Sequence, residues 1–164
     1  MIKNIIWTVV LCTICAILQS VMRNVLPFFP DLALCVLVFS AYVNGTMTGH
    51  VSGFFSGLLY SFLSPASPLG LNSLIRTIIG AFTGMFKGSF FLDIIFLPII
   101  ICALATLLKA AIIFILHLII GSTVSNTYSL TTSVLWIELG LNAASGPLLF
   151  FLLRNFKPII TERR

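Results

Sequence analysis

Residues 45–59 read GTMTGHVSGFFSGLL, and in them Gly45, Gly49, Gly53 and Gly57 fall on a strict four-residue beat. A second series, Gly80, Gly84 and Gly88, keeps the same spacing downstream. Glycine destabilises the interior of a water-soluble helix by about 1 kcal/mol at each position. In a bilayer the same spacing makes a small-xxx-small ridge on which two helices approach closely. The beat therefore describes a membrane helix shaped to touch another helix. Ser52 and Ser56 lie on the same helical face and widen the small strip.

Composition agrees with a membrane setting. The 164 residues are 59% hydrophobic and 8% charged, against about 25% charged in soluble domains, and mean hydropathy is +1.17. No water-facing surface can be built from that mixture. At about 20 residues per crossing, the chain has room for about six transmembrane helices in one all-α, polytopic domain. The net charge of +5 does not point to nucleic acid, because Lys3, Lys87, Arg154, Lys157, Arg163 and Arg164 sit at segment ends or in the tail. That is the distribution that orients membrane proteins, with some attraction to anionic membrane lipids.

Punctuation by Pro, Gly and charge divides the chain into spans at about 5–22, 28–43, 45–63, 71–86, 94–120 and 133–153, followed by a basic tail at 154–164. Asp93 is a candidate N-cap for the fifth span. Gly140, Gly146 and Pro147 are expected to bend or divide the sixth. Six spans place both termini on one side. With that side cytoplasmic, six of the cations above face inward and Arg23 alone faces outward.

Ionisable groups inside spans cost about 2.5 to 3.5 kcal/mol each on insertion scales and are functional suspects. Here they are Asp31, Arg76, Lys109 and Glu138. Asp31 and Arg76 both fall within about one turn of the outer interface, so they are expected to pair. Lys109 and Glu138 lie at depths differing by about 6 to 8 Å, which a lysine stem can bridge, and form a second expected pair. A charge swap between Asp31 and Arg76 should then restore what either single change loses. The alternative, a proton relay through Glu138, Lys109 and His117, needs titratable groups across the whole membrane, and the inner half offers only His50.

Cys12, Cys15, Cys35 and Cys102 lie inside apolar runs and read as packing residues. Cys12 and Cys15 have redox or zinc-site spacing but no second pair beside them. No nucleotide, metalloprotease or serine-hydrolase motif occurs. The expectation is a non-enzymatic protein with no catalytic, metal or cofactor site. The glycine ladders admit two uses, packing within the fold or docking of another membrane protein.

Three stretches carry a family resemblance: PDL at 30–32, the GxxxGxxxG helix closing in GLL at 57–59, and SPLGLNSL at 67–74 before a glycine-spaced span. Together they resemble the bacterial rod shape-determining protein MreD family over roughly residues 26–88. Where members of that family often carry an acid after GLL, this chain has Tyr60 and Ser61. The resemblance implies a multi-pass protein of the bacterial inner membrane, both termini cytoplasmic, acting as a scaffold for lateral peptidoglycan synthesis. The partners implied are MreC, MreB, and the elongation glycosyltransferase and transpeptidase. Under it, Gly45, Gly49, Gly53, Gly57, Gly80, Gly84 and the turn Pro68, Leu69 and Gly70 become packing or partner-interface residues.

That family is similar in architecture to the S components of energy-coupling-factor vitamin transporters. This gives an alternative function, capture of a small molecule in an outward cavity near Asp31, Arg76, Lys109 and Glu138. The short outer loops offer such a ligand mainly Tyr128.

Overall fold

The computed structural model describes residues 2–22, 29–63, 70–88, 96–120 and 133–155. Six helices account for nearly all of these: α1 (Ile2–Met22), α2 (Leu32–Asn44), α3 (Thr46–Leu63), α4 (Leu71–Met85), α5 (Phe96–Ile120) and α6 (Ser133–Asn155). No strand occurs among the described residues. The chain is a helical membrane protein. Three helices, α1, α5 and α6, are long and apolar enough to cross a bilayer, and α2 is a shorter apolar helix.

The helices that fall short do so for visible reasons. α2 packs against all five other helices, and its residues 33–41 are buried without a break. That burial, on every side, makes α2 the core helix of the bundle. α3 and α4 spend one face each on small or polar residues. The buried side of α3 is Thr48, Gly49, Ser52, Gly53, Ser56, Gly57 and Ser61, while α4 buries Arg76 among Ser73, Thr83 and its glycines.

Named contacts fix the direction of every helix. Asn4 Nδ2 donates to Asn44 Oδ1 at 3.0 Å, Thr8 and Ser40 share a hydroxyl hydrogen bond, and Cys12 Sγ donates to the Ala33 carbonyl at 3.5 Å. α1 and α2 are therefore antiparallel. Asp31 meets Asn142, and Phe39 meets Phe150 edge to face at 4.9 Å, so α6 runs parallel to α2. The pairs α3–α4 and α5–α6 are antiparallel hairpins. All six alternate, and α1 begins at the end of the bundle where α6 finishes.

Two glycines of the beat are not rungs. Gly45 is the single residue between α2 and α3, with φ 98° and ψ 179°, a region open essentially to glycine alone. It closes α2 by donating to the Ala41 carbonyl at 2.7 Å and opens α3 by accepting from the Gly49 amide at 3.1 Å. Gly88 has φ 74° and open space around it, just beyond α4. Both sit at ends of their series, where a four-residue spacing cannot distinguish a helix from its cap.

α6 is one helix, unbroken through Gly140, Gly146 and Pro147. Gly146 abuts the Pro98 carbonyl and Cys102 on α5, where a Cβ would stand 3.1 and 3.0 Å away. Close packing on α5 holds the sixth span together where its sequence reads as a break. Asp93, Pro68, Leu69, Tyr128, Arg23 and residues 156–164 of the tail lie outside the described residues.

Candidate functional site

Two constructions meet at the end of the bundle where α2, α4 and α6 begin, one of them running the length of α3 and α4. The first is the seam between α3 and α4. A Cβ on Gly49 would stand 2.6 Å from the Gly80 carbonyl carbon, one on Gly53 2.5 Å from the Arg76 carbonyl oxygen, and one on Gly84 2.5 Å from Thr46 Cα. Gly57 likewise lies on the main chain of Asn72 and Ser73. Side chains are absent along this line, so the two backbones are in contact. The serines beside it turn their hydroxyls inward, Ser56 to the Gly53 carbonyl at 3.2 Å and Ser61 to the Gly57 carbonyl at 3.0 Å. Ser73 crosses the seam to the Phe54 carbonyl at 2.9 Å.

The second is a buried polar network centred on Asp31, which starts α2 because its Oδ1 accepts from the Leu34 amide at 3.0 Å. The same oxygen accepts from Arg76 Nη2 at 3.3 Å, and Oδ2 accepts from Lys109 Nζ at 3.0 Å. Lys109 Nζ also reaches Glu138 Oε1 at 2.6 Å. The structure brings all four charges into one line, Arg76–Asp31–Lys109–Glu138, with Lys109 bridging what the sequence suggests as two couples. Two cations and two anions leave the line neutral. Asp31 is 4% exposed and Arg76 3%, so removing any one partner strands a charge away from water.

Asn142 extends the network and is not evident from charge alone. Its Oδ1 accepts from the Asp31 amide at 2.7 Å, while its Nδ2 donates to Thr106 Oγ1 at 3.0 Å. It is fully buried. The available signal is its position one turn after Glu138, on the same face of α6. Groups from α2, α4 and α5 thus meet the Asp31 carboxylate, and α6 meets its amide.

Arg76 also shows how the residue after GLL is used. Its guanidinium carbon lies 4.4 Å from the centre of the Tyr60 ring, a cation–π contact within the usual range. An aromatic face thus meets the arginine at this stretch. Ser61 beside it accepts from Asn72 Nδ2 at 3.4 Å. One Arg76 nitrogen, Nη1, has no hydrogen-bond partner among the described residues.

Toward the opposite end the polar groups joining α1 to α2 are Asn4, Thr8, Ser40 and Asn44, none of which titrates. His50 is exposed and His117 half-buried. Cys12, Cys35 and Cys102 are buried and Cys15 half-buried, all as free thiols. Lys87 donates to the Asn44 carbonyl at 3.1 Å, closing the end of α2 across to α4. The arrangement suits a rigid body in which the charges of Asp31, Arg76, Lys109 and Glu138 are paired with one another.

Comparison with known proteins gives one finding. A family model described as rod shape-determining protein MreD matches residues 1–156. Neither the curated proteins nor the solved structures contain a match.

Proposed function

Because this chain belongs to the MreD family of rod shape-determining membrane proteins, we propose that it is a non-enzymatic scaffold of the elongation machinery. It holds single-span MreC and the lateral-wall glycosyltransferase and transpeptidase by helix packing. The cytoskeletal partner MreB meets its cytoplasmic loops and tail. The observation that carries this reading is the family match, which runs through all six helices.

Two further observations support it. The glycine seam and the charge network are both consumed within the bundle, which makes the body stiff and leaves its outer helix faces for partners. The alternation of six helices also fits six spans with both termini on one side, and the excess of cations there supports a cytoplasmic placing. The vitamin-transporter alternative has no comparison behind it.

Depletion tests the reading directly. Loss of the chain should turn rod-shaped cells round, and a wild-type copy should restore them. A membrane pull-down should bring MreC with it. Normal rods after depletion, or vitamin auxotrophy in place of rounding, would overturn the proposal.

A further inference from the structure

The α3–α4 hairpin carries a groove of about 320 Å³. Phe54 and Leu58 wall it on α3, Leu74 and Ile78 wall it on α4, and Ser73 and Thr77 form its floor. Phe54, Leu74 and Ile78 are each 41–47% exposed, so the groove opens away from the bundle. We propose that it seats one alkyl chain of a membrane lipid. This rests on the reading above in one respect, that the hairpin lies in the bilayer.

Three properties select that occupant. The floor hydroxyls are already committed, Ser73 to the Phe54 carbonyl at 2.9 Å and Thr77 to the Ser73 carbonyl at 2.6 Å. The groove therefore offers a ligand no free hydroxyl donor, and a polar occupant that needs one would lose its own bonds to water on entering. At about 320 Å³ it is roughly twenty to thirty times the space, about 10–15 Å³, that one water needs. A polymethylene chain fills such a space, whereas a helix is about 10 Å across.

Length decides against a transmembrane partner. From Gly70 to Ile78 the groove covers eight residues of α4, or about 12 Å at 1.5 Å each. The hydrocarbon core is about 30 Å thick, so the groove matches one leaflet and ends near the midplane. A partner helix lying lengthwise along the hairpin would need a seat through both leaflets. A chain entering from the Gly70 end needs only this one.

The test uses the full chain in vesicles containing a phospholipid with a photoactivatable diazirine at mid-chain. After illumination, label should concentrate on peptides bearing Phe54, Leu58, Leu74 and Ile78, several-fold above that on Ile14 of α1, which is more exposed than any of them. Thr77→Phe fills the floor and should abolish the excess while leaving the Ile14 label unchanged. Leu74→Trp, which narrows the groove from its wall, does the same job if the first variant fails to fold. Label spread in proportion to exposure, or an excess that survives both variants, overturns the proposal. So does capture of a partner helix at this position in native membranes in place of lipid. Met47→Cys and Phe62→Cys, at opposite ends of α3, separate the two readings. If impermeant maleimide reaches them from opposite sides without any concentrated lipid label, the hairpin spans and only the groove proposal fails.

Discussion

Gly49 and Gly80 meet main chain to main chain, each lying where the other's side chain would have to go. A methyl on either would enter the opposite peptide rather than a flexible side chain, so the contact cannot relax locally. Gly49→Ala should therefore cost about 1–3 kcal/mol, as overpacking does, and Gly80→Ala should cost about as much. The double variant should cost less than the sum, because the helices separate once. Gly140→Ala is the control, since that glycine has open space around it and alanine is the better helix former by about 1 kcal/mol. Thermal unfolding in detergent measures all four.

At Gly45 strain and crowding can be told apart. A Cβ there meets only Lys87, at 3.2 Å, and that side chain can move. The left-handed backbone cannot, and it should cost Gly45→Ala about 1–3 kcal/mol. Adding Lys87→Met should recover little of the loss. Substantial recovery in the melting temperature would show that crowding, not backbone conformation, fixes this position.

The shared lysine makes a distinct prediction for the charges. Lys109→Met strands Glu138 and weakens Asp31, and breaking a buried pair this way costs about 3–5 kcal/mol. Combining it with Glu138→Gln should recover part of that loss in a denaturation assay. The Asp31–Arg76 swap, natural for an isolated pair, should not rescue. A reversed pair would place arginine beside Lys109 and remove the cap from Leu34.

This contrast marks what the sequence can and cannot carry. Hydropathy places α1, α5 and α6, and spacing finds the rungs Gly49, Gly53, Gly57, Gly80 and Gly84, because both are properties of one helix read along its axis. Depth along an axis also puts Lys109 near Glu138. It does not give the rotation of each helix, which decides that Lys109 reaches Asp31 as well, and that Asn142 faces the Asp31 amide. A third four-residue series, Asn4, Thr8, Cys12 and Ala16, is buried on α1 and is open to the same reading as the glycines. Its polar members hide it among residues that hydropathy discounts.

That series yields a measurable quantity. Asn4 with Asn44 and Thr8 with Ser40 bond α1 to α2, and interhelical bonds in membranes average about 0.6 kcal/mol and reach about 1.7. A double-mutant cycle with Thr8→Val and Ser40→Ala should return a coupling in that range. A coupling indistinguishable from zero would mean the hydroxyls contribute packing alone.

The helices also differ in height. α4 has 15 residues and α3 has 18, about 22 and 27 Å at 1.5 Å per residue. α5 has 25 residues and α1 has 21, about 37 and 31 Å by the same rise. With all of them in one bilayer, the mismatch is met by tilting of α5 or by thinner hydrocarbon beside the described part of the hairpin. In the second case the molecule would carry a step in membrane thickness around its own perimeter, and neighbours could be sorted by the length of their spans before any side chain is compared.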